Sequence, residues 1–258
     1  MRAFVVDTFT RTPFRGSPAG VVLLDRRVDE TWMQAVAAEL NHPGTAFVDP
    51  VDEGARAAGI RWFSPATELS LCGHATLAVA HVLGGEHTFQ TGDGLLLPCR
   101  VADDNAVSMR FPADPVRPQP PSAALSAGLP GVTVRSVCRG RTDVLVEAAS
   151  AAEVRGLFPD LDALSKVDAR AVIVTAAGDG HADIVSRVFA PHAGIGEDPV
   201  TGSAHCTLAG FWSERLGRPE LLAEQASERG GLMRTRLDGA RVILTGYAVT
   251  VWTGELHV

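Results

Sequence analysis

Two short stretches concentrate the residues able to do chemistry. One is Gly196-Glu-Asp-Pro-Val-Thr-Gly-Ser-Ala-His-Cys206, the other Leu71-Cys-Gly-His-Ala-Thr-Leu-Ala78. Each is a glycine-containing turn that runs into an apolar helical pattern. A helix start leaves backbone N–H groups without intrahelical partners and carries the positive end of the dipole. Glycine there lets a ligand approach the backbone closely. The reading is that Gly73-His74 and Gly202-Ser203 face each other and bind an anion, such as a carboxylate, from both sides. Either glycine taken alone is better explained as a tight turn; the pairing favours the anion site.

Around these starts lie groups that can carry a proton. His74 titrates near neutral pH, although an isolated histidine more often satisfies a neighbouring carbonyl. Asp198 is either a general base or a cap that holds its turn through the Thr201 N–H. Glu197 reads as solvated. Cys72 stands beside a helix start, where thiol pKa falls, and is as readily an inert packed thiol. Cys206, one turn into its helix, reads as structural. Cysteine and histidine also suit metals, but no CxxC, HExxH or carboxylate cluster completes a ligand set. No phosphate-cradling loop or dinucleotide fingerprint occurs.

The elements that position these residues can be read from pattern. Residues 3–7 and 21–24 are strands, with Thr10 to Ala19 a loop. Asp29 caps a helix over 30–40 whose apolar face is Trp32, Met33, Val36, Ala37 and Leu40. Thr45–Val48 and Ile60–Phe63 are strands. Ala75 to Leu83 is almost wholly apolar, the mark of a buried helix, and Gly84-Gly85 stops it. Residues 87–111 hold two or three strands. Pro112 to Gly131 carries six prolines and reads as a linker. Beyond it come strands at 132–138 and 143–146, helices near 150–157 and 162–166, and strands at 171–175 and 186–189. A helix follows the second motif and ends at Gly217, and three strands close the chain. The halves match in outline: Phe63-Ser-Pro65 leads to Cys72-Gly-His74 as Phe189-Ala-Pro191 leads to Thr201-Gly-Ser203, suggesting duplicated α+β halves.

The 258 residues are 46% hydrophobic and 21% charged, with a net charge of −7, which argues against nucleic acid as a partner. No apolar stretch is long enough to span a bilayer, and Met1-Arg-Ala-Phe-Val-Val-Asp7 is too soon interrupted by charge for a signal peptide. A cytoplasmic protein is expected, its scattered cysteines (Cys72, Cys99, Cys138 and Cys206) reduced.

The motifs also carry a resemblance. Val6-Asp-Thr-Phe9, Pro13-Phe-Arg-Gly-Ser-Pro-Ala-Gly-Val-Val22, Thr45-Ala-Phe47, Arg61-Trp-Phe-Ser-Pro65, Cys72-Gly-His-Ala-Thr76, Phe189-Ala-Pro191 and Glu197-Asp-Pro-Val-Thr-Gly-Ser-Ala-His205 resemble, in order, the motifs of the PhzF-like (phenazine biosynthesis) family. The resemblance implies the α+β diaminopimelate epimerase fold: two pseudo-symmetric domains, each a barrel-like sheet around a central helix, with the site in the cleft. The domains would be 1–113, joined by a returning strand at 247–258, and 114–246. It implies an isomerase, commonly a homodimer, that moves a proton on a small carboxylic acid without metal or organic cofactor. Its active-site histidine, aspartate and serine fall on His74, Asp198 and Ser203, and Gly73, Thr201 and Gly202 join them as substrate contacts.

The chain departs from that pattern at its chemical centre. The family's main base is a glutamate directly before Thr-Ala-Phe; here the residue is Gly44. Ser17 replaces the usual asparagine of Gly-Asn-Pro. Related racemases use two opposed cysteines; Cys72 holds the first position and Pro199 falls near the second, so a two-thiol racemase is not expected. The reading is an isomerase in which Asp198, His74 or Cys72 replaces the glutamate, acting on an unsaturated or amino carboxylic acid of secondary metabolism. The alternative is a non-catalytic homologue that binds a small acid or a partner protein.

Overall fold

The computed structural model describes residues 1–50 and 56–257. The chain divides into two compact units, Met1–Phe111 with Ile243–Val258, and Pro112–Val242.

The first unit contains β1 (Arg2–Thr8), β2 (Ser17–Leu23), α1 (Glu30–Leu40), β3 (Gly44–Val48), β4 (Ala58–Phe63), β5 (Glu68–Leu69), α2 (Gly73–Leu83), β6 (Glu86–Gln90), β7 (Leu96–Val101) and β8 (Val107–Pro112). β2 and β3 run parallel across the α1 crossover, and β4 and β6 across α2, as parallel neighbours joined by a helix must. β1 with β2, β3 with β4, β4 with β5, β6 with β7 and β7 with β8 pair antiparallel. α1 begins where Asp29 accepts a bond from Trp32 N at 2.7 Å and ends at Asn41, which takes the left-handed conformation at φ 53°. Its Met33, Val36 and Ala37 pack with Phe47 and Phe63 on one side of the sheet. α2 is buried from Gly73 to Ala80 and touches β1, β2, β3 and β7, so the sheet curls around it.

The second unit repeats this order. It contains β9 (Arg117–Pro118), α3 (Ala123–Gly128), β10 (Val134–Arg139), β11 (Val144–Ala148), α4 (Ala151–Arg155), α5 (Leu161–Leu164), β12 (Val172–Ala177), β13 (Ile184–Ala190), β14 (Ile195–Asp198), α6 (Gly202–Leu216), β15 (Glu220–Gln225) and β16 (Gly231–Asp238); β17 (Arg241–Gly246) begins in it and passes back to the first unit at Ile243. β11 pairs in parallel with β12, and β13 with β15 across α6, reproducing the two crossovers of the first unit. α6 is the counterpart of α2 and packs on β15 and β16, while α4 covers β11, β12 and β13. The last strand, β18 (Ala248–Glu255), lies antiparallel to β1.

Several features differ from the pattern reading, among them β14, a strand where a turn is expected. The proline-rich stretch is not a bare linker: Ser122 accepts from Leu125 N at 3.1 Å and starts α3 within it. β2 begins at Ser17, inside the expected loop. β15 forms a central strand where none was read.

Candidate active site

In the first unit the chemistry gathers at the start of α2. Cys72 is its N-cap residue, in extended conformation, and its side chain makes no capping bond. The Thr76 hydroxyl turns back to Cys72 O at 2.7 Å. Cys72 and His74 are 4% and 7% exposed. Cys72 Sγ lies 3.6 Å from His74 Nδ1 and 3.7 Å from Nε2, so the sulfur faces the ring midway between its nitrogens and points along neither N–H axis.

Gly44, first residue of β3, abuts this pair. A Cβ added at Gly44 would stand 2.7 Å from Cys72 Sγ and 2.9 Å from His74 Nε2. Real Cβ atoms essentially never come within 3.0 Å of a neighbour, so residue 44 can carry no side chain unless the pair moves. The sulfur and imidazole thus stand against the position at which the resemblance places a glutamate. Two residues upstream of the β2 position that pairs with Gly44, Ser17 is fully buried, and its Oγ meets no hydrogen-bond partner among the described residues.

In the second unit the turn before α6 is pinned from several sides. Thr201 is the N-cap residue and gives its helix no side-chain cap. Its hydroxyl donates instead to Asp198 Oδ2 at 2.7 Å. Gln225, at the end of β15, accepts from Thr201 N at 2.8 Å and donates to Asp198 O at 2.7 Å. Asp198 therefore braces the turn through the Thr201 hydroxyl and not, as the spacing suggested, through the Thr201 N–H. Its Oδ1 is buried with no partner among the described residues.

One turn further on, His205 Nδ1 lies 2.8 Å from Thr201 O. A carbonyl only accepts, so Nδ1 carries the proton and Nε2 is left as an acceptor. Burial pushes the imidazole down to about 4, against the opposing pull of the Thr201 carbonyl and the Asp198 charge, so His205 is neutral at pH 7. Burial also pushes the Cys206 thiol up to about 12.

Arg170 was not singled out in the sequence. Its Nη2 lies 3.1 Å from Ser203 Oγ, and the guanidinium is paired with the buried carboxylate of Asp143. Glu197 is not simply solvated: it is part-buried, and Arg187 grips it with two bonds of 2.7 and 2.8 Å. Sequence reasoning thus found Cys72, Gly73, His74 and Gly44, which the structure brings together, and Asp198, Thr201, Gly202 and Ser203, which share the α6 start. It missed Gln225, Asp143 and Arg170: Gln225 and Arg170, which carry no local motif, arrive from 24 and 33 residues away, and Asp143 stands a further 27 residues before Arg170.

Two repeated α+β units, each a sheet with parallel crossovers packed on a buried helix, define a tandem pseudo-symmetric α+β fold. The phenazine biosynthesis-like protein family (PhzC–PhzF) matches residues 6–254. The chain is 44% identical to an uncharacterized isomerase of Pseudomonas aeruginosa, over 98% of this chain and 97% of the relative. It is 41% identical to an uncharacterized isomerase of Halalkalibacterium halodurans, over the same shares of 98% and 97%. The crystal structure of a PhzF-family phenazine biosynthesis protein from Enterococcus faecalis is 36% identical and superposes with a TM-score of 0.92, covering 100% of this chain and 99% of that one. The chain belongs to the phenazine biosynthesis-like PhzC–PhzF family and is an isomerase of the PhzF-like type. Among the described residues no helix is long and apolar enough to cross a membrane.

Proposed function

We propose that this isomerase moves a proton, with or without an accompanying double-bond shift, on a small unsaturated or amino carboxylic acid in secondary-metabolite biosynthesis, and that His74 carries the proton. The observation behind this reading is the contact of Gly44 with Cys72 and His74. Where the family pattern has a carboxylate, this chain packs a thiol and an imidazole. A neutral imidazole is a weaker base than an alkoxide or amine, so it suits a C–H already acidified by conjugation or by an adjacent carbonyl.

The start of α6 supplies the acid-binding function. Its first-turn N–H groups and Ser203 suit a carboxylate, and Asp198 holds the turn in shape through Thr201. Asp198 thereby becomes a support for the anion contacts rather than the first candidate for the base. The family resemblance adds a homodimer, which sedimentation velocity tests. The reaction itself is tested by incubating the protein in D2O with conjugated enoic acids and 2-amino acids and following the loss of C–H signals by proton NMR. Stereospecific deuterium incorporation at a carbon next to the carboxylate or along the conjugated chain is expected; neither deuterium incorporation nor an isomerised product with any of these acids would contradict the reading.

A further inference from the structure

Arg170 is held from behind. Its Nε donates to Asp143 Oδ1 at 2.8 Å and its Nη2 donates to Asp143 Oδ2. Asp143 is 2% exposed and Arg170 44%, so a buried carboxylate fixes the plane of a guanidinium whose other edge is open. Two parallel bonds define that plane as a lysine could not. From this position Nη2 also reaches Ser203 Oγ at 3.1 Å. A guanidinium has donors only. Ser203 Oγ must therefore accept from Arg170, and its own O–H is directed elsewhere, as a donor.

That second donor sits on the second residue of α6. The N-cap side chain, Thr201, is occupied with Asp198 Oδ2 and does not quench the helix start. A fixed cation, a serine pre-set to donate, and first-turn N–H groups thus share one place. We propose that Arg170 is a specificity-determining residue: anchored by Asp143, it sets Ser203 as a donor and makes the start of α6 select a carboxylate over a neutral group. This rests on the reading that the α6 start holds the substrate's acid group, and extends it to a residue outside the family motifs quoted above.

The probes are sorbate, a conjugated monocarboxylate, and its primary amide, which has the same shape without the charge. Binding of each is measured by titration calorimetry to the full chain and to Arg170→Met. The parent is expected to prefer sorbate by about tenfold or more, the scale of one charge-assisted hydrogen bond, and Arg170→Met to retain less than about threefold preference. General loosening of the fold weakens both probes alike and leaves the preference intact, so the ratio separates recognition from a merely structural salt bridge. Should Arg170→Met not fold, Arg170→Lys, which cannot hold Asp143 and Ser203 together, is read in the same way and is expected to lose at least about threefold of the preference. An unchanged ratio in the folded variant overturns the role of Arg170 while leaving the acid-binding reading in place. A parent that binds acid and amide equally, or neither, overturns that reading and the role of Arg170 with it.

Discussion

A Cβ on residue 44 would stand 2.7 Å from Cys72 Sγ, so the glycine at one position and the thiol at the other depend on each other. Forcing a methyl group into a packed contact of this kind costs about 1–3 kcal/mol. Gly44→Ala is therefore expected to lower the unfolding free energy by that amount in urea titrations. In a Cys72→Ala background the cost should shrink without vanishing, because His74 Nε2 remains 2.9 Å from the same point. Equal costs in both backgrounds would contradict the coupling. Gly44→Glu is expected to displace the pair and to lower proton exchange rather than raise it.

The four cysteines should react unequally. Burial holds the Cys99 and Cys206 thiols up at about 12 and raises Cys138. Cys72 is as deeply buried, but its sulfur lies against the His74 imidazole at a helix start. Limited iodoacetamide treatment of the native protein at pH 8, mapped by peptide mass spectrometry, should label Cys72 first. Labelling of any other cysteine ahead of it would count against the pair, and His74→Ala should slow the reaction at Cys72.

His205 gives the fold an acid-side weakness. Its folded value, about 4, lies below the ordinary 6.5, so the unfolded chain takes up the proton first as pH falls. The stability it contributes is fully present above about pH 6.5 and is lost progressively toward pH 4, up to about 3 kcal/mol. Urea unfolding followed from pH 7.5 to 4 should show this decline, and His205→Gln should flatten it in that window. An identical slope in the variant would place the effect elsewhere.

Gln225 ties the α6 turn shut from the neighbouring strand. Truncation to alanine leaves Thr201 N–H and Asp198 C=O without their partner in a buried setting, which costs about 2–3 kcal/mol. Gln225→Glu keeps an acceptor for Thr201 N–H but removes the donor to Asp198 O. Gln225 is fully buried beside Asp198, so the new carboxylate is an uncompensated buried charge, and Gln225→Glu should unfold no later than Gln225→Ala. A neutral Gln225→Ala would show that the turn is held by its own sequence.

Much of this arrangement was legible because it is encoded locally. Asp29 and Asn41 bound α1 as their types dictate, and the unbroken apolar run after His74 marks α2 as buried. The repeated turn-plus-helix pattern pointed to two matching halves, and the strand pairings repeat with it. Other elements depend on distant partners. β15, Glu-Leu-Leu-Ala-Glu-Gln, is made of good helix formers; pairing with β13 and β16 makes it a strand. α3 is hidden by the prolines before it, and its cue is the single N-cap Ser122. Arg187 and Glu197 meet because β13 and β14 form an antiparallel hairpin that pairs Val188 with Asp198, a register that no composition argument supplies. The resemblance exposed Gly44 as a departure. Only the folded arrangement shows that Cys72 and His74 crowd the place its side chain would take.

The central claim is that His74, beside Cys72, carries the proton while Asp198 supports the turn. The most direct measurement is the rate of solvent-deuterium incorporation into an acid that the parent exchanges, compared in His74→Ala and Asp198→Asn with both variants shown to be folded. Loss of a general acid–base residue is expected to slow exchange in His74→Ala by about 10²–10⁴-fold. Asp198→Asn, which keeps a hydrogen-bond acceptor for the Thr201 hydroxyl, should retain exchange within about tenfold of the parent at saturating acid. Exchange at the parent rate in His74→Ala, or its loss in Asp198→Asn alone, would contradict the account.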